Sequence, residues 1–140
     1  MKDSVIVNWE KGMAFEANVD GFKIKLDAKD DHGGKKAGPT PKPLMMVALA
    51  GCTGMDVVSI LEKMRVELKD FSIKIDGELT EEHPKHFTKM HIIYEFTGED
   101  LPYDKLKKAI DLSQERYCGV VASYRKAFEI SYEIKLIEKN

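Results

Sequence analysis

The stretch Leu44–Leu61, LMMVALAGCTGMDVVSIL, restricts the fold more than any other part of this chain. It is apolar nearly all round, and only Thr53 and Asp56 interrupt it strongly. Just before it, TPKPL offers Thr40 as a cap and Pro41 or Pro43 as the first helical position, where proline's missing N–H has no intrahelical partner to lose. The pattern predicts a helix to about Leu68, roughly seven turns, solvated only along its closing EKMRVELK. A helix without a polar face must be covered on most sides. In 140 residues with few other helices there is little material to cover it. Ala48, Ala50, Gly51, Thr53 and Gly54 leave room for a second helix to come close. A second copy of the same helix across a two-fold axis meets that need, so an obligate homodimer is expected. The simpler rival wraps the helix in the chain's own sheets.

The segments on either side are strand-like. SVIVNWE, MAFEANV and FKIKLDA alternate apolar and polar residues around KG and VDG, which predicts a three-stranded antiparallel meander. Phe22, Ile24 and Leu26 share one face of its last strand. KDDHGGKKAGPTPKP is then a long polar loop, of a kind that is often functional or mobile. After the helix come two strands, FSIKIDGEL and FTKMHIIYEF, joined through TEEHPKH. Leu101–Pro102 opens a second helix, YDKLKKAIDLSQERY, which Gly119 interrupts just after Cys118. A short helix in VVASYRKA and a last strand, FEISYEIKLIE, complete the order. This is not a βαβαβ alternation, so the fold class is α+β with an antiparallel sheet and a long buried central helix, in one domain spanning 1–140.

A net charge of −2 gives no field to attract nucleic acid or an anionic membrane. The opening MKDSVIVNWEKG lacks the order of a signal peptide, and Thr53 and Asp56 break the longest apolar run short of a bilayer span. A soluble cytoplasmic protein is expected, where thiols stay reduced. Two cysteines there point to packing, metal ligation or redox chemistry before a structural disulfide. Each taken alone reads as a small buried hydrophobe. Cys52 lies too far into its helix for the helix dipole to act on it, so any activation must come from a nearby cation or hydrogen-bond donor. Cys118 sits at a helix break, where the dipole has either sign depending on which helix claims it. No CxxC or HExxH spacing exists, and His83 and His86 flank a proline in a turn, so neither a metal nor a cofactor is expected. GGKKAGPT lacks the spacing of a phosphate-binding loop. Asp56, one turn beyond Cys52, needs a partner or water inside so apolar a helix.

The blocks PLMMVALAGCTGMDVVSILEKMR and RYCGVVASYRKAFEISYEIKL, in this order and with these flanking elements, resemble the OsmC/Ohr family of osmotically induced and organic-hydroperoxide-resistance proteins. The GCTxMDV run places the match in the OsmC-like branch. The resemblance implies an intertwined homodimer with two interface sites. It also implies that Cys52 is the peroxidatic and Cys118 the resolving cysteine of an organic-hydroperoxide reductase that a cellular dithiol regenerates. One family feature is missing. Active members supply a thiolate-stabilising arginine from near the early strands and a glutamate near the lead-in proline. Here the first strands hold no arginine, Lys11 and Lys23 are the nearest substitutes, and Lys42 and Pro43 stand where the glutamate falls. Arg116 is then the cation expected nearest to sulfur, and lysine for arginine is not a neutral exchange. The missing pair motivates a rival reading, a non-enzymatic dimer that binds a small apolar ligand between subunits.

Overall fold

The structure is a computed structural model that describes residues 1–139. The chain forms two compact units, Met1–Met45 and the remainder from Met46.

In the first unit β1 (Ile6–Lys11), β2 (Ala14–Val19) and β3 (Phe22–Leu26) form the expected antiparallel meander. Asp20 and Gly21, at φ 51° and 84°, make the two-residue turn between paired Val19 and Phe22. Two positive φ values match the natural twist of the flanking strands, which is why VDG marks the hairpin. The polar loop that follows is pinned by Asp27. Its carboxylate accepts hydrogen bonds from the backbone N–H groups of Ala28 (2.8 Å), Lys35 (2.9 Å) and Ala37 (3.1 Å). Those donors, led by Lys35 and Ala37, hold its pKa below the ordinary carboxylate value. The N–H groups that gave GGKKAGPT its phosphate-loop look are thus spent on the chain's own carboxylate. Glycine is required at Gly34, where a Cβ would run into the Ala28 carbonyl.

In the second unit β4 (Asp70–Leu79), β5 (Phe87–Gly98) and β6 (Glu129–Glu138) form a sheet in that order. β4 runs antiparallel to β5, as expected, but β6 lies parallel to it. The segment between β5 and β6 holds α2 (Tyr103–Leu112), a π-helical turn (Ser113–Tyr117) and α3 (Gly119–Arg125), enough chain to cross back and re-enter in the same direction. The expectation of an all-antiparallel sheet is corrected on this pair.

The central helix α1 spans Pro41–Lys63 and stops short of Leu68. Arg65 adopts φ 59°, and Val66 N–H reaches back to the Leu61 carbonyl at 3.0 Å, a left-handed termination made without the usual glycine. Leu49, Thr53, Val57 and Leu61, four residues apart, form its fully buried stripe. They join Met90, Ile92, Tyr94 and Phe96 of β5, with Leu106, Ala109 and Ile110 of α2, in one core. The opposite face stays open: Val47 is 62% and Met55 76% exposed. Burial on most sides, the expectation from composition, is not achieved within one chain. With 23 residues and a mean hydropathy of 1.9 over its most apolar window, α1 also reaches bilayer-spanning length and apolarity, so the reading of this run as too short and too polar is corrected.

Candidate thiol site

Three side chains of the second unit converge between α1 and the helix break. Cys52 and Asp56 are one turn apart on α1, so both point to the same side. Cys118 comes from the end of the π-helical turn, whose five-residue hydrogen bond closes from Cys118 N–H to the Ser113 carbonyl at 2.7 Å. The two sulfurs and an Asp56 carboxylate oxygen all lie within 4.8 Å of one another. Both thiols are free, Cys52 half-buried and Cys118 only 3% exposed. The structure therefore brings together both cysteines singled out in the sequence, and Asp56 with them.

α3 claims Cys118 as its N-cap, and the sulfur accepts a hydrogen bond from Val121 N–H at 3.4 Å. That favours the thiolate, yet burial and a hydrogen bond with Cys52 outweigh it, and the Cys118 pKa is pushed up to about 11. Cys118 is thus a protonated thiol at neutral pH.

Asp56 finds the partner its setting demands. Ser113 Oγ donates to Asp56 Oδ2 at 2.9 Å. A hydroxyl has one hydrogen, and Ser113 has spent its own, so Thr53 must donate to Ser113 across 2.8 Å. Tyr94 must then donate to Thr53 across 2.7 Å. Gln114 Nε2 donates to Tyr94 at 3.0 Å, and Arg125 Nη2 donates to Gln114 Oε1 at 3.4 Å. Five hydrogen bonds run one way, from a guanidinium to a carboxylate. Thr53, Tyr94 and Ser113 are fully buried, and among the described residues no buried side-chain polar atom lacks a partner.

Other candidates fall elsewhere. Arg116 is exposed over the Tyr117 ring at 5.8 Å, and the arginine wired into the site is Arg125 instead. Lys23 pairs with Glu16 at 3.7 Å and Lys11 lies over the Trp9 ring at 5.8 Å, all within the first unit. Lys42 and Pro43 are exposed. None of the four histidines enters the cluster. Sequence reasoning missed Tyr94, Ser113 and Gln114, and preferred Arg116 to Arg125. The polar pair Thr53 and Asp56 in an apolar helix was the one signal that such partners had to exist.

A family model described as OsmC-like protein matches residues 32–133, which contain both cysteines and Asp56. The chain is 35% identical over 132 residues to protein YhfA of Escherichia coli K12, covering 94% of this chain and 96% of that one. Its fold is similar to that of a hypothetical protein from Aquifex aeolicus, with TM-score 0.87, 26% identity and coverage of 100% and 99% of the two chains. It is also similar to the organic hydroperoxide resistance protein OhrB of Bacillus subtilis, with TM-score 0.67, 16% identity and coverage of 96% and 98%, a likeness of fold alone. A long helix carrying one cysteine, a broken helix delivering the other, and a family match spanning both leave one assignment: this chain belongs to the OsmC-like family.

Proposed function

We propose that this protein is a cytoplasmic, homodimeric thiol peroxidase that reduces organic hydroperoxides. The observation that carries the reading is the pairing of two free sulfurs, one half-exposed and one buried, within 4.8 Å. Membership of the OsmC-like family and a fold shared with an organic hydroperoxide resistance protein support it. In the reaction the Cys52 thiolate attacks the terminal oxygen of the hydroperoxide. The O–O bond breaks, the alkoxide leaves as alcohol with a proton from solvent, and Cys52 becomes a sulfenic acid. The Cys118 sulfur then attacks that sulfur; an S–S bond forms, and hydroxide leaves as water with the Cys118 proton. A cellular dithiol reduces the disulfide by exchange. The division of labour follows exposure, since a peroxide must reach the first thiol and only the second sulfur must reach the sulfenic acid.

Turnover of tert-butyl hydroperoxide with a dithiol reductant, compared for wild type and Cys52→Ser, tests the reading. Loss of turnover in the variant is the expected result, and equal rates would end the proposal.

A second reading has its own observation. Val47, Ala50, Gly51, Met55 and Val58 of α1, with Phe71 and Ile73 of β4, line an apolar groove of about 690 Å3. A non-enzymatic dimer that holds a small apolar ligand there accounts for the groove and for the missing arginine. It predicts no peroxide turnover by the wild type.

A further inference from the structure

We propose that Cys52, Asp56 and Cys118 form a three-ligand site for a thiophilic divalent cation of the zinc class, open at its fourth position. Three observations carry the proposal. The donor set is the first: two sulfurs and a carboxylate oxygen suit zinc, while calcium and magnesium take oxygen alone. Spacing is the second. Tetrahedral zinc with Zn–S bonds of about 2.3 Å sets its sulfurs about 3.8 Å apart. The three donor atoms here already lie within 4.8 Å of one another, so side-chain adjustments of about an ångström close the site. Two of them project from one face of α1 at i and i+4, the spacing that helical metal ligands use.

The third observation is the hold on the carboxylate. Asp56 Oδ2 receives the Ser113 hydroxyl at 2.9 Å, and Ser113 is fixed in turn by buried Thr53, which Tyr94 anchors. A ligand oriented by a hydrogen-bonded outer layer is what tight metal sites require. Among the described residues Asp56 makes no ion pair, and one of its carboxylate oxygens stands within reach of both sulfurs. On coordination the thiol protons pass to the buffer, with no oxidant or reductant needed. Four protein ligands would close the site; three leave room for water or a small anionic ligand.

The proposal is independent of peroxide turnover, and its test is spectroscopic. Reduced full-length protein is titrated without oxygen with Co2+, a coloured stand-in for zinc. The expected result is a thiolate-to-cobalt charge-transfer band that saturates at one metal per chain and is bleached by Zn2+. Cys52→Ser and Cys118→Ser should each weaken the band and its affinity, and Asp56→Asn should lower affinity at least tenfold while both thiols still titrate. Absence of the band in the wild type at millimolar Co2+ overturns the proposal, as does wild-type affinity in a folded Asp56→Asn. Cobalt binding without peroxide turnover removes the peroxidase and leaves the metal site; turnover without cobalt binding does the reverse.

Discussion

Cys118 shows how neighbours overrule a helix terminus. Its sulfur has the position and the N–H donor that ordinarily stabilise a thiolate, but burial and the Cys52 hydrogen bond keep the proton on. A thiol whose folded pKa stands at about 11 against an ordinary 9.0 leaves stability intact below pH 9. Above it the unfolded chain releases a proton that the folded chain retains, so stability falls as pH rises toward 11. Urea unfolding of reduced protein from pH 8.5 upward should show wild type losing on the order of 2 kcal/mol more than Cys118→Ala by the end of that range. Parallel profiles would mean that the thiol ionises freely in the fold. The same residue explains why the dipole argument could not be settled locally: both signs were open until the chain placed Cys118 at the start of α3 rather than the end of α2.

At the scale of elements, Thr53 ties three of them together. Its hydroxyl links α1 to Tyr94 on β5 and to Ser113 at the head of the π-helical turn. Thr53→Val keeps the shape and removes the oxygen that serves both. Tyr94 OH then lacks an acceptor and Ser113 Oγ lacks a donor, in a region closed to water. The cost expected is about 1–3 kcal/mol in chemical denaturation, well above that of a surface change. Peroxide turnover should fall with it, because the same hydroxyl ties the helix that carries Cys52 to the turn that delivers Cys118. Full stability in this variant would show that the buried chain is not a structural link. The π-helical turn has a physical role in this scheme. It opens at Ser113, whose hydroxyl reaches Thr53 on α1, and closes at Cys118, whose N–H bonds to the Ser113 carbonyl, so one turn delivers both groups to the site.

For the molecule as a whole, exposed apolar surface is the dominant fact. In the first unit Ile6, Val7, Trp9 and Phe22 are between 45% and 74% exposed, and in the second Val47 and Met55 stand open on α1. Patches of this kind mark surfaces that another molecule covers. The proposed homodimer covers them with a second copy. Sedimentation of the wild type should give twice the 15.9 kDa chain mass, and Met55→Lys should shift it toward the single-chain value without lowering helix content. In a protein that works as a lone chain, a lysine at a position 76% exposed would change neither.

Sequence by itself determined what depends on a few neighbouring residues. Asp20–Gly21 dictates the hairpin, Pro41 the start of α1, and alternation the strands of both units, because backbone preferences and side-chain periodicity act over one turn or one pleat. It also identified Cys52, Asp56 and Cys118 as residues needing an explanation, and carried the family likeness. Tertiary structure alone decided their partners. Ser113 meets Asp56 from 57 positions away and Thr53 from 60, β6 enters parallel, and Arg125 rather than Arg116 joins the network. The stop at Arg65 and the capture of Asp27 by its own loop were equally illegible. Each of these rests on where distant segments are brought by packing, and a hydrogen bond has no reach until that has happened.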